Sequence, residues 1–193
     1  VHPLSVQTDV DGCQALVKEL FLDINISSNP TRFIAVNSIN WTRCMAQSVY
    51  YFWTYLRLKE QLKELTFSVP SGNFGHAYAG WLAKEMGLPI KKFIAATNAN
   101  DPFPIFLQTG HFKPKESVKT LSNAMDVGNP SNFVRILELY KFNLENIRKE
   151  IESKSYNDEE TLETIRELYQ NSNYILEPHG AIGYMGIKDF VKN

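Results

Sequence analysis

Cysteine is scarce in this sequence, and so are the features that would mark a secreted, metal-binding or membrane protein. The 193 residues contain only Cys13 and Cys44, too few for a disulfide framework or for the repeated cysteines of a structural zinc site. No apolar run approaches the roughly 20 residues that span a bilayer, and residues 1–12 lack the basic start and apolar core of a signal peptide. The sequence therefore predicts a cytoplasmic protein with no metal and no membrane partner.

An excess of either charge is also missing. Lysine and arginine number 20 against 21 aspartates and glutamates, and no basic block interrupts the chain. Nucleic-acid binding depends on concentrated positive charge, so nucleic acid is not expected as a partner. With 44% hydrophobic residues, the chain is long enough for one substantial core, and residues 1–193 are expected to form a single domain.

Short apolar runs alternate with helical patterns in the middle of the sequence. Strands are predicted at residues 33–36 (FIAV), 65–69 (LTFSV) and 90–96 (IKKFIAA), with helices at 41–62 and 76–86 between them. Two consecutive strand-helix-strand units favour parallel pairing with right-handed crossovers. The predicted fold class is therefore α/β, with a mostly parallel sheet between two layers of helices.

The remaining elements are predicted from periodicity alone. Residues 10–22 form a helix that packs on a core through Cys13, Leu16, Val17 and Leu20. The helix at 41–62 buries Met45, Val49, Phe52, Trp53 and Leu56. A charged helical insertion covers about residues 132–171, as helices at 132–153 and 158–171, followed by a strand at 174–177 (YILE) and a helix at 180–191.

The turn at residues 71–76 (SGNFGH) joins a predicted strand to a predicted helix. Glycine allows close backbone approach and positive φ, and the free N–H groups of a helix N-terminus attract anions. An anion site and a tight structural turn are both compatible with this pattern. The Lys-Ser or Lys-Thr of a nucleoside-triphosphate loop and the three-glycine dinucleotide spacing are both absent, so a smaller phosphate is the expected ligand.

A second turn at residues 37–43 (NSINWTR) also joins a strand to a helix. Asn37 and Ser38 supply polar groups, while Arg43 is a cation in the first helical turn, where the helix dipole favours negative charge. Either a bound anion or a salt bridge to an acidic side chain would compensate that cation. If both turns bind anions, they open on one sheet edge, as expected for one cofactor phosphate and one substrate phosphate.

Four blocks of sequence resemble the threonine synthase family, in its enteric and fungal branch. They are NSINWTR (37–43), FSVPSGNFGHAYAGWLAKEMGLPIKKFIAATNAND (67–101), TLSNAMDVGNPSNF (120–133) and EPHGAIGY (177–184). The resemblance implies the large domain of a pyridoxal-phosphate enzyme of fold type II, a lyase converting O-phosphohomoserine and water to threonine and phosphate. It places Gly72, Asn73, Phe74, Gly75 and His76 at the cofactor phosphate, and Asn37, Ser38 and Arg43 at the substrate phosphate.

The resemblance does not supply a catalytic residue. The family's Schiff-base lysine lies in a motif that would precede Val1, and the partner of the cofactor ring nitrogen would follow the last residue. Lys84, Lys91 and Lys92 are expected to be surface charges. The chain is therefore expected to be an interior fragment, inactive alone. Its parent is a threonine synthase, a related lyase that yields a keto acid, or a non-catalytic phospho-ligand binding protein, as a monomer or homodimer.

Other polar residues have weaker functional signals. His179 in the EPHG block is a candidate for the site or for a purely structural role. Asn98, Asn100 and Asp101 follow a strand, where such residues commonly form turns. Cys44 has no neighbouring activator in the sequence and is expected in the core.

Overall fold

The computed structural model describes residues 5–27, 34–62 and 64–192. Its strands are β1 (Leu65–Pro70), β2 (Ile90–Thr97) and β3 (Ile151–Ser155). Its helices are α1 (Val10–Leu22), α2 (Ile24–Ser27), α3 (Trp41–Leu58), α4 (Gly75–Glu85), α5 (Pro102–Thr109), α6 (Phe133–Leu139), α7 (Leu144–Glu150), α8 (Asp158–Ser172) and α9 (Pro178–Lys192). Among these described residues, no helix combines the length and apolarity needed to cross a membrane.

The three strands form a parallel sheet in the order β1-β2-β3. Helix α4 connects β1 to β2, as predicted, and Gly87 ends that unit's helix with a φ of 100°. Phe93 on β2 pairs with Phe67 on one side and with Ile151 on the other. The carboxyl ends of β1 and β2 therefore lie side by side, which places the loops that follow them at one edge.

Helices cover both faces of the sheet. On one face, Trp81 of α4 and Tyr51 of α3 pack around Phe93 in the main core. On the other, Ile182 of α9 belongs to a second cluster with Ala96, Met125, Tyr156 and Met185, and α9 is close to both β1 and β2. The predicted α/β fold, with helices on either side of a parallel sheet, is confirmed.

Strand β3 lies inside a segment predicted to be helical. Residues 132–153 are not one helix, because Lys141 and Phe142 adopt positive φ and Asn143 starts a new helix. The chain then enters β3, where Ile151 is buried and pairs with Phe93. The charged residues of this short edge strand matched a helical pattern, and pairing with β2 overrides that local preference.

Both short strands predicted outside the central unit are wrong in the residues that the structure describes. Residues 34–36 and 174–177 form no strand, and Phe33 lies outside the described residues. Ile34, Val36 and Ile175 each expose more than 70% of their surface, at 73%, 82% and 75%. An apolar run becomes a strand only when a neighbour completes its hydrogen bonds, and the described residues provide none here.

The predicted buried faces of two helices are also wrong. Helix α1 has the predicted bounds, yet Leu16 and Leu20 are about half exposed and Gln14 is its buried residue. Helix α3 buries Cys44, Ser48 and Tyr51, whereas Val49, Trp53 and Leu56 are exposed. Periodicity identifies an apolar stripe but not which side of the helix meets the rest of the chain.

Candidate functional site

The turn after β1 is held by the core on one side and by a crossing segment on the other. Phe74 has a φ of 62°, a left-handed conformation that is strained for a side chain of this size. Its ring is buried against Phe103, with centroids 4.5 Å apart. A Cβ on Gly72 would lie 2.6 Å from the Cα of Met125, so only glycine fits beneath that backbone.

The same turn leaves a row of backbone donors without protein partners. Ser71 N–H donates to the Ala96 carbonyl, and Tyr78 N–H donates to the Phe74 carbonyl. Within the described part of the chain, the N–H groups of residues 72–77 donate to no protein acceptor, and no side chain caps α4. Unpaired donors at a helix start form an anion site through hydrogen bonding and the helix dipole.

The turn before α3 presents a second polar surface. Asn40 caps α3 by accepting a hydrogen bond from Thr42 N–H at 3.1 Å, and asparagine is among the preferred residues at this position. Ser38 Oγ donates to Asn37 Oδ1 at 3.1 Å. Arg43 is exposed and donates to the Val36 carbonyl at 3.2 Å. Its guanidinium has no carboxylate partner among residues 5–27, 34–62 and 64–192, so the salt-bridge alternative finds no support there.

Asn73 joins these two turns directly. Its Nδ2 donates to Ser38 Oγ at 2.7 Å, and its Oδ1 accepts hydrogen bonds from Ser131 N–H at 2.6 Å and Ser131 Oγ at 2.9 Å. A Cβ on Gly75 would lie 2.6 Å from Ser38 Cβ. The second glycine of the turn thus permits the close approach of Ser38, and the two predicted anion turns form one continuous polar site.

Arg135 on α6 was missed by the sequence analysis, although it contacts this site. Its Nη1 donates to the Ser38 carbonyl at 3.2 Å and to Asn132 Oδ1 at 2.7 Å, and its Nη2 donates to the Ile39 carbonyl at 2.6 Å. Asn132 Nδ2 in turn donates to the Asn73 carbonyl at 2.9 Å. Arg135 lies almost a hundred residues beyond Ser38, so no local spacing indicated this contact.

His76 directs its ring away from the glycine turn. Its Nδ1 lies 2.9 Å from Gln47 Oε1, and the ring packs on Tyr51 with centroids 5.0 Å apart. Partial burial lowers the pKa of His76. Of this residue, the backbone N–H is therefore the group available to an anion in the turn.

The EPHG segment lies next to the segment that covers Gly72. His179 Nε2 accepts a hydrogen bond from Ala124 N–H at 3.2 Å, and its Nδ1 lies 2.6 Å from Glu177 Oε2. Burial alone would raise the pKa of Glu177, but hydrogen bonds from His179 and Gly180 outweigh it and hold that pKa below its usual value. This pair positions the 3₁₀ turn Asn123–Met125, whose Met125 closes on Gly72.

The asparagines after β2 have structural partners, as predicted. Asn98 and Asn100 are buried, and both donate to Asp126 Oδ1, at 3.0 and 3.2 Å. Asp101 forms an ion pair with Lys115. Cys44 is fully buried, and burial raises the pKa of its thiol, which fits its predicted place in the core.

The lysines near the turn are engaged elsewhere. Lys84 pairs with Glu150 at 2.7 Å, Lys91 with Glu64 at 2.9 Å and Lys92 with Glu152 at 2.5 Å. Lys91 is exposed, as expected for a surface charge, whereas Lys84 and Lys92 are partly buried in their ion pairs. None of them provides evidence for a catalytic amine.

A parallel α/β sheet whose carboxyl edge presents a glycine-lined anion site is the architecture of a large class of cofactor enzymes. The chain belongs to the family of pyridoxal-phosphate dependent enzymes, which it matches over residues 1–193. It is 45% identical to the threonine synthase of Serratia marcescens over 190 residues, covering 98% of this chain and 44% of that protein.

Solved structures agree with this assignment. The threonine synthase of Escherichia coli superimposes with a TM-score of 0.89 at 43% identity, over 96% of this chain and 43% of that one. The pyridoxal-phosphate-bound threonine synthase of Brucella melitensis gives 0.83 at 35% identity, over 98% and 46%. The chain thus spans less than half the length of these relatives. The predicted resemblance, fold type and cofactor are confirmed.

The geometry of the glycine turn fits the phosphate of that cofactor. Six consecutive N–H groups, those of residues 72–77, have no protein acceptor among the residues that the structure describes, and side chains at Gly72 and Gly75 would meet Met125 and Ser38. The donor set is neutral and backbone-based, which suits a phosphate at a helix N-terminus.

Proposed function

We propose that the protein carrying this chain is a threonine synthase, a lyase that converts O-phosphohomoserine and water to threonine and phosphate. The observation that carries this proposal is the hydrogen bond of 2.7 Å between Asn73 Nδ2 and Ser38 Oγ. A reaction on a phosphate ester at a phosphate-bearing cofactor needs two neighbouring anion sites. The two turns meet this requirement, and the similar threonine synthases support it.

The backbone N–H groups of Gly72, Asn73, Phe74, Gly75 and His76 are the proposed ligands of the cofactor phosphate. Only their main chain is assigned this role. The Asn73 amide is occupied by Ser38 and Ser131, the Phe74 ring lies in the core, and the His76 ring faces Gln47. Bound pyridoxal phosphate supplies the electron sink for bond cleavage on an amino-acid substrate.

The proposed substrate-phosphate site consists of Asn37, Ser38 and Arg43. Within the described residues, Arg43 uses one guanidinium nitrogen on the Val36 carbonyl, and its planar fork suits two oxygens of a phosphate ester. Ser38 is held between Asn37 and Asn73, so its hydroxyl has a fixed position at the boundary of the two sites. These residues bind and orient the leaving phosphate, while the proton-transferring amine remains unassigned in this chain.

The proposed partner is thus a small phosphorylated amino acid, and the proposed compartment is the cytoplasm, with the protein acting as a monomer or a homodimer. The decisive experiment incubates the full-length protein, loaded with pyridoxal phosphate, with O-phosphohomoserine. Equal amounts of threonine and inorganic phosphate are expected. Phosphate with a keto acid would indicate the related lyase instead. If neither threonine nor phosphate is formed, the proposed enzymatic role is overturned.

A further inference from the structure

Arg135 is a half-buried cation that has no carboxylate partner in the described part of the chain. Its donors instead meet three neutral oxygens: the carbonyls of Ser38 and Ile39 and the side-chain oxygen of Asn132. The guanidinium also lies over the Tyr78 ring, 5.7 Å from the centroid. Hydrogen bonds from a charged donor are stronger than neutral ones, so these contacts hold the Ser38 turn firmly to α6.

The contacts of Arg135 close a ring of hydrogen bonds through both anion sites. Arg135 binds the Ser38 carbonyl and Asn132 Oδ1, Asn132 Nδ2 binds the Asn73 carbonyl, and Asn73 Nδ2 returns to Ser38 Oγ. These hydrogen bonds connect the Ser38 turn to the glycine turn by two routes, one direct and one through Asn132 and Arg135. A displacement of either turn therefore disturbs hydrogen bonds that belong to the second, as expected for a connected polar network.

Arg148 on α7 provides an internal comparison. Its Nε donates to the Leu107 carbonyl at 2.6 Å and its Nη2 to the Gln108 carbonyl at 2.9 Å. Arg148 thus also fastens backbone carbonyls by a forked cation, but at the end of α5. Both arginines secure the fold, but only Arg135 donates to the proposed substrate-phosphate turn and reaches the glycine turn through Asn132.

We propose that Arg135 is a positioning residue that joins the cofactor-phosphate turn and the substrate-phosphate turn into one unit. This inference rests on the proposed function. Arg135 acts through Ser38, Asn132 and Asn73. Lysine retains the charge but lacks the planar fork that reaches two carbonyls and an amide oxygen at once, so Arg135→Lys separates positioning from simple charge.

The test measures two affinities in the full-length protein. The first is the dissociation constant of pyridoxal phosphate from the apo form, and the second is that of inorganic phosphate, the probe for the substrate site, from the cofactor-loaded form. Arg135→Lys is expected to weaken both by about tenfold, since it removes charge-assisted hydrogen bonds to the Ser38 turn and to Asn132, which holds the glycine turn through the Asn73 carbonyl. Arg43→Lys is expected to weaken inorganic phosphate alone, and Arg148→Lys to leave both affinities within about twofold.

The paired pattern separates a positioning role from a general loss of stability, because Arg148→Lys removes an equivalent backbone clamp. Unchanged affinities in Arg135→Lys, or a loss of only one, would overturn the inference. If circular dichroism shows that Arg135→Lys does not fold, Asn132→Ala cuts the same ring, and unchanged affinities there would be equally decisive. If Arg135→Lys loses both affinities but the parent protein forms neither threonine nor phosphate, the proposed function is overturned and the positioning role of Arg135 still stands.

Discussion

The two anion turns are built by different means. The glycine turn at residues 71–76 is shaped by backbone packing, with Gly72 under Met125 and Phe74 fixed in the core. The turn at residues 37–43 is shaped by side chains from elsewhere, because Asn73 and Arg135 supply the hydrogen bonds that hold Ser38. A phosphate that stays bound suits the first construction, and a phosphate that must leave suits the second.

This difference indicates where each turn is vulnerable. The glycine turn has no room for side chains at Gly72 and Gly75, so atoms added there should disturb its geometry. The Ser38 turn depends on hydrogen bonds donated by Asn73 and Arg135, so removing donor groups should disturb its geometry. Four substitutions test this contrast, in order of expected effect.

Gly75→Asp is expected to have the largest effect. The new side chain starts 2.6 Å from Ser38 Cβ and adds a negative charge beside the N–H groups proposed to bind the cofactor phosphate, so pyridoxal-phosphate affinity should fall on the order of a hundredfold. Absorbance titration of the apo protein measures this loss. Gly75→Asn has the same size without the charge and should lose less affinity; equal losses would show that crowding, and not charge, is responsible.

Arg43→Ala is expected to weaken the substrate phosphate selectively. Removal of a charged donor should weaken inorganic phosphate binding to the cofactor-loaded protein by roughly tenfold, while pyridoxal-phosphate affinity stays unchanged. Arg57→Ala is the matched control, because Arg57 lies on the same helix over the Trp53 ring. A larger effect on the cofactor than on inorganic phosphate would reverse the assignment of the two turns.

Gly72→Ala is expected to lower the free energy of unfolding more than it weakens ligand binding. Its Cβ would lie 2.6 Å from the Met125 Cα, and backbone cannot move aside as a side chain can, so unfolding should become easier by about 2 kcal/mol. A urea titration monitored by circular dichroism measures this change. A variant as stable as the parent would mean that the 3₁₀ turn does not press on Gly72.

His76→Gln is expected to have the smallest effect, visible only in the pH dependence of stability. Because partial burial lowers the pKa of His76, the unfolded chain binds the proton more tightly, and the parent should lose stability as pH falls below about 6.5. Solvent contact of the ring limits the size of this effect. In His76→Gln, the urea midpoint should therefore change less between pH 7 and pH 5 than it does in the parent protein. The same change of midpoint in both proteins would exclude His76 as the source.

The sequence analysis was most accurate where local signals and tertiary structure coincide. Helix α1 begins and ends where periodicity placed it, and the β1-α4-β2 unit follows from two apolar runs around a glycine turn. Strand β3 was missed because Ile151 becomes a strand residue only through its partner Phe93, far away in the sequence. The false strand at residues 174–177 shows the converse, since its apolar residues have no neighbouring strand in the described chain.

The site divides in the same way. Gly72 and Gly75 were identifiable because close approach of backbone selects glycine, and Ser38 and Arg43 because they lie on either side of the start of a predicted helix. Arg135 and Asn132 were not identifiable, because in and just before α6 they look like ordinary polar residues of a charged segment. The sequence predicted that the two turns lie at one edge of the sheet, but it did not predict the hydrogen bond between Asn73 and Ser38.

Phe74 has a consequence for how the site forms. A glycine at this position would adopt a φ of 62° without strain, yet the chain carries a phenylalanine whose ring lies with Phe103 in the main core. The contact with Phe103 compensates the strain of that left-handed backbone. We therefore expect the anion turn to keep its shape only while the hydrophobic core around Phe103 is packed, so substitutions that loosen this core should also weaken cofactor binding.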